Sequence, residues 1–132
     1  MSTIFSKIIS GEIPSYKVAE NEGFLAFLDI NPNSIGHTLC IPKKEIDNIL
    51  DLDENTYHEL MKFSRKVALS IAKVIDCQRI SFSVIGLEVP HVHVHLIPIK
   101  KMSDANFTKK ISMNDNQFKQ TASLISNAFK SV

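Results

Sequence analysis

The sequence predicts an α+β fold: an antiparallel five-stranded sheet with one long helix, a short N-terminal helix and a C-terminal helix. Three observations carry this expectation. Five short stretches have the apolar, β-branched or alternating character of strands and are set apart by glycine, proline and asparagine turns. One stretch, Leu52 to about Ile75, keeps a helical period over several turns. The resulting order, strand, strand, strand, helix, strand, strand, suits an antiparallel sheet. With 132 residues the chain has the size of a single domain, 1–132, with its core at about 4–98 and a helical extension at about 103–132.

The elements follow in order. Apolar side chains at Ile4, Phe5, Ile8 and Ile9 predict a short amphipathic helix that Ser10-Gly11 ends and Pro14 keeps from continuing. Tyr16 to Glu20 and Phe24 to Ile30 read as two strands joined by Asn21-Glu22-Gly23, and Asp29 falls at the end of the second. Gly36 to Pro42 resumes as a third strand, with His37 near its start and Pro42 closing it. A short turn around Ile46, Ile49 and Leu50 precedes Asp51 and Glu54, a pair spaced like a capping box. In the long helix Tyr57, Leu60, Met61, Ser64, Val67, Ala68, Ile71 and Ile75 recur at helical spacing, which predicts one face packed on the sheet. His58, near Lys62 and Arg65 on the polar side, reads as a solvated surface histidine. Gln78 to Leu87 alternates Ile80, Phe82 and Val84 with Arg79, Ser81 and Ser83, a half-buried strand expected to pair antiparallel with the one after it. Asn114 with Gln117 caps a last helix carrying Phe118, Ala122, Ile125 and Phe129.

Composition narrows the function classes. Fifteen basic side chains nearly balance fourteen acidic ones, so the net charge of +1 supplies no field for nucleic acid or an anionic membrane. A small anionic ligand stays open. The first residues lack the apolar core of a signal peptide and no window approaches a membrane span, so a cytoplasmic location is expected. Cys40 and Cys77 form no metal-type pair and read as reduced thiols.

The chemistry concentrates in Glu88-Val89-Pro90-His91-Val92-His93-Val94-His95-Leu96-Ile97-Pro98. Side chains alternate across a strand, so His91, His93 and His95 share one face and Val92, Val94 and Leu96 the other. Three imidazoles in a row contribute little to a core. A metal is one use for them, although the pleat holds them nearly parallel and no cysteine or carboxylate nearby completes an obvious ligand pattern. The other use is nucleophilic and acid-base catalysis, best suited to a phosphorus centre, with the middle histidine attacking and its neighbours orienting it and offsetting charge.

His91-Val92-His93-Val94-His95-Leu96-Ile97 resembles the histidine-triad signature of the HIT superfamily of nucleotide hydrolases and transferases. The resemblance extends upstream through Ile4 to Pro14, Leu25 to Ile30 and Gly36 to Lys43, which look like the Hint-like branch in order and spacing. It implies a HIT-like fold, a homodimer joining two sheets, and hydrolysis at the α-phosphorus of purine nucleoside monophosphate derivatives through a nucleotidyl-histidine intermediate. His93 would be the nucleophile, His91 and His95 would orient it and contact phosphate, and His37 would support them. Asp29 would bind the ribose hydroxyls, and Ile4, Phe5, Ile8, Phe27 and Ile30 would sandwich the base. Cleavage of dinucleoside polyphosphates, or nucleotide binding with little catalysis, are the alternatives the resemblance leaves open.

The chain departs from the branch in several places, among them a shorter segment before the triad and a preceding strand whose nearest polar candidate is Ser83 where an asparagine is often found. Gly86-Leu87-Glu88 stands where Hint-like proteins usually carry Gly-Gln-Ser or Gly-Gln-Thr, so the resemblance leaves two placements for Glu88, in the polar position beside the substrate phosphate or pointing away from it. In zinc-bearing members, cysteines near the N-terminus and a histidine after the Pro-Lys motif hold the metal; this chain has Ser6 and Glu45 there. No metal and no cofactor are therefore expected.

Overall fold

The computed structural model describes residues 3–132; Met1 and Ser2, which open the stretch read for a leader, lie outside the described residues. Helix α1 (Ile4–Ile9) starts at Thr3, whose hydroxyl accepts the Ser6 N–H. It is followed by β1 (Lys17–Glu20), β2 (Phe24–Leu28) and β3 (Thr38–Pro42), then by helix α2 (Glu54–Val74). Strands β4 (Arg79–Ser83) and β5 (Val94–Ile99) come next, and helix α3 (Asp115–Phe129) completes the chain. The five strands form one antiparallel sheet in the order β1-β2-β3-β5-β4, so the α+β expectation holds.

Alternation within the strands divides the core in two. Phe24, Ala26 and Leu28 of β2, with Val92, Val94 and Leu96, turn to the face covered by Leu60, Phe63, Val67 and Ile71 of α2 and by Phe118, Ala122 and Ile125 of α3. Leu25 and Phe27 point the other way and meet Leu39, Ile41 and the α1 side chains Phe5 and Ile8. The docking of α3 was not legible in the sequence. Its buried stripe joins the same apolar cluster as α2, and Tyr16 ties it to the start of β1 by stacking on Phe118 and donating to Asp115 Oδ1 at 2.6 Å.

Three boundaries differ from expectation, each for a local reason. Ile49–Asp51 form a 3-10 turn, so Asp51 is used up there, and Asp53 caps α2 by accepting the Thr56 N–H. Strand β4 stops at Ser83, because Val84, Ile85 and Leu87 have no neighbouring strand on which to pack and lie exposed. Strand β5 begins at Val94 and not at His91. The His91 and Val92 amides donate to the Val89 and Ile46 carbonyls, outside the ladder, yet the side chains keep their alternation. The sharpest backbone requirement lies just before β3. Gly36 has φ +93°, and a Cβ there would stand 3.1 Å from Ile75 and 3.2 Å from Pro98, so only glycine lets the chain pass and turn His37 inward.

Leu60→Ala should lower unfolding free energy by about 2 to 5 kcal/mol, since Leu60 is fully enclosed between sheet and helices. Leu87→Ala, at an 89% exposed position, should change it by less than about 0.5 kcal/mol. Urea titrations of the two variants check the contrast.

Candidate functional site

Packing of Val92, Val94 and Leu96 against α2 forces His91, His93 and His95 onto the opposite face, where α1 closes over them. His93 and His95 line a cleft of about 500 Å³ walled by Ile4, Phe5 and Leu39 on one side and by the segment from Ile85 to Val89 on another. Phe5 stands edge-on to His93 with ring centroids 5.0 Å apart, and the rings of His93 and His95 are 4.9 Å apart. Asp29 and Glu88 also line this cleft.

Hydrogen-bond partners assign the proton positions on the rings. His93 Nδ1 lies 2.7 Å from the His91 carbonyl, which can only accept; Nδ1 therefore carries the proton, and neutral His93 has its lone pair on Nε2. A different chain of bonds sets His95. The Asn33 backbone N–H donates to His37 Nδ1 at 2.9 Å, so the His37 proton sits on Nε2, and that N–H donates to His95 Nδ1 at 3.0 Å. His95 must then keep its own proton on Nε2. Two adjacent imidazoles are thus locked in opposite tautomers, one offering a lone pair and the other an N–H.

Burial keeps them neutral. It pushes His37 down to about 3 and His95 down to about 4, and it also lowers His93, partly opposed by the bond to the His91 carbonyl. Burial raises Asp29, against the Asn31 amide that bonds its carboxylate. Asp29 Oδ2 stands 3.6 Å from His37 Nε2. Asp29, His37 and His95 place potential ligand atoms within 4.8 Å of one another, the one such group among the described residues. Its nearest nitrogens already bond each other across the His37–His95 contact.

The remaining expected residues separate into several places. His91 is fully buried and does not line the cleft: Nε2–H donates to the Pro42 carbonyl at 2.8 Å and Nδ1 faces the Thr3 hydroxyl at 3.1 Å. Its backbone carbonyl holds His93 Nδ1, while its ring stays outside the cleft lining. Ile8 and Phe27 pack in the core around Phe5 and are absent from the cleft lining. Ile30 is 72% exposed and lines a different groove, of about 660 Å³, between the α1–β1 connection and α3. It stands apart from Ile4 and Phe5 because the chain breaks from β2 after Leu28. Where zinc-bearing relatives of the resemblance carry metal ligands, Glu45 accepts from the Ser6 hydroxyl and the Thr3 amide. Asn31, Asn33, Phe107 and Lys110 were missed by sequence reading. Phe107 stands edge-on to His95 at 4.8 Å, and Lys110 donates to Asn33 Oδ1 at 2.7 Å. No period or motif marks the polar stretch that holds the last two.

A family profile described as HIT domain matches residues 10–102. The chain belongs to the HIT family. An uncharacterized HIT-like protein of Borreliella burgdorferi is 36% identical over 132 residues, covering 93% of this chain and 95% of that one. The adenosine 5′-monophosphoramidase hnt1 of Schizosaccharomyces pombe is 37% identical over 99 residues, 74% of each chain. Among solved structures, a Hit-like protein involved in cell-cycle regulation from Bartonella henselae, with an unknown ligand, superposes at TM-score 0.84. That pair is 32% identical over 96% of both chains. The HIT-like fold expected from the triad is therefore established. No described helix is long and apolar enough to cross a membrane.

The neutral histidines make stability acid-sensitive. The unfolded chain takes up protons below about pH 6.5 that the folded His37 and His95 refuse, so stability present above that pH is lost as pH falls toward about 4 and 3. The slope reaches about 1.4 kcal/mol per pH unit for each such histidine. Urea titrations between about pH 7 and pH 5 should show the decline, and His37→Asn should make it shallower; an equal slope in that variant would contradict the account.

Proposed function

We propose that this HIT protein is a hydrolase of purine nucleoside 5′-monophosphate derivatives, attacking the α-phosphorus with His93 and passing through a nucleotidyl-histidine intermediate. The observation that carries the reading is the pair of opposite tautomers in one cleft, a bare Nε2 on His93 beside an Nε2–H on His95. The first is a nucleophile that needs no prior deprotonation, and the second is a donor for a phosphoryl oxygen. The similarity to a protein named adenosine 5′-monophosphoramidase supports this substrate class.

For a phosphoramidate, the His93 Nε2 lone pair forms the bond to phosphorus as the P–N bond breaks, and the amine leaves with that bond's electron pair and a proton from solvent. The His91 carbonyl keeps its hold on Nδ1–H and stabilises the positive charge the ring acquires. Water then attacks phosphorus, the bond to Nε2 breaks, the lone pair returns to nitrogen, and the water proton is released. His37 serves at one remove, by holding the His95 tautomer. Ile4 and Phe5 offer an apolar wall to the base, and the Asp29 carboxylate can accept from the ribose hydroxyls. Ile8 and Phe27 back that wall, and Glu88 lines the cleft with the histidines.

A homodimer is proposed on the free edge of the sheet. Strand β4 pairs with β5 alone, and Phe82 on it is 44% exposed.

His93→Ala should lower turnover of adenosine 5′-phosphoramidate by at least about three orders of magnitude while AMP binding stays measurable. Unchanged turnover would refute the mechanism. Phe82→Glu should shift the sedimentation coefficient from dimer to monomer without unfolding the chain.

A further inference from the structure

The charge of the cleft does not suit its proposed ligand without help from outside the matched domain. Asp29 and Glu88 are acidic, and the cleft histidines are held toward their neutral forms. A phosphate entering such a site meets repulsion and imidazoles of no net charge. Lys110 is the one lysine or arginine in the cleft lining among the described residues.

We propose that Lys110 is the residue that recognises the negative charge of the bound nucleotide, a specificity-determining cation supplied by the segment between β5 and α3. The inference rests on the nucleotide-hydrolase reading and adds a residue to it. Lys110 lies beyond residue 102, where the family match ends.

Its placement is built. The Ile111 amide donates to the Pro32 carbonyl at 3.0 Å and the Asn33 side-chain amide donates to the Asp104 carbonyl at 3.1 Å, so the segment is pinned on both sides of Lys110. The ammonium group gives one proton to Asn33 Oδ1 at 2.7 Å, which leaves two for a ligand. It also stands 5.1 Å from the Phe107 ring centroid, over the same ring that packs against His95. Asn33 is buried and acts as the hub. Its backbone N–H sets the tautomer chain through His37 to His95, while its side chain holds Lys110 and the segment that carries it. The lysine charge is felt across this end of the cleft, where it opposes the burial that raises Asp29 and adds to the burial that lowers His37 and His95. A substrate phosphate placed beside His95 would therefore gain attraction from Lys110, while an uncharged nucleoside would gain none.

The test compares AMP with adenosine by calorimetry on the full chain, for the wild type, Lys110→Met and Lys110→Arg. Lys110→Met keeps most of the stem and removes the charge; it should weaken AMP binding about tenfold or more and leave adenosine binding unchanged. Lys110→Arg should recover most of the AMP affinity. Unchanged AMP affinity in Lys110→Met, or equal losses for AMP and adenosine, would overturn the inference. If the wild type hydrolyses adenosine 5′-phosphoramidate, that result removes Lys110 alone; a wild type that neither binds AMP nor turns over the phosphoramidate removes the proposed function as well.

Discussion

The alternation of side chains from His91 to Leu96 is the constraint on which the rest of the molecule depends. Val92, Val94 and Leu96 are enclosed between the sheet and α2, and their burial leaves the three histidines no choice of face. A shift by one residue would bring three imidazoles into an apolar layer built by Leu60, Val67 and Ile71, at a cost in lost hydration that no partner there could offset. The hydrophobic core thus does more than stabilise the fold. It aims the histidines at the side where α1 and the loop before the triad leave a cleft.

Aiming the rings is only half of the arrangement, because an imidazole has two nitrogens and function depends on which one carries the proton. Backbone groups decide this. The His91 carbonyl holds the His93 proton on Nδ1, and the Asn33 amide, acting through His37, holds the His95 proton on Nε2. Backbone atoms in a packed loop cannot rotate away as a side chain can, so both tautomers are set before any ligand arrives. His91 itself is sequestered by Pro42 and Thr3, and its ring anchors the strand to α1 in the manner of a structural bolt.

This arrangement opposes stability on the acid side. Burial that keeps His37 and His95 neutral also denies them protonation, and the fold gives up free energy as the surrounding pH falls below the ordinary range of histidine. The same dryness strengthens each hydrogen bond within the relay. Glu88 and Asp29 add negative charge at the cleft, and Lys110 brings the opposing charge from the chain beyond β5.

The sequence by itself determined the element order, the antiparallel sheet and the shared face of the triad, because these follow from periods of 2 and 3.6 and from a motif that is local in the chain, whereas the grouping of the triad with His37 and Asp29 was implied only by the resemblance to the HIT family. Asn114 and Gln117 announced the start of α3 for the same reason. Only the tertiary structure decided what depends on residues far apart in sequence. It withdrew Ile30 into another groove, buried Ile8 and Phe27 in the core, turned the His91 ring away from the cleft, and moved the α2 cap from Asp51 to Asp53 because a 3-10 turn had taken the earlier residue. It also brought Lys110 within 2.7 Å of Asn33, a contact across 77 residues that no period or spacing encodes, since it arises from how a loop folds back over a finished sheet.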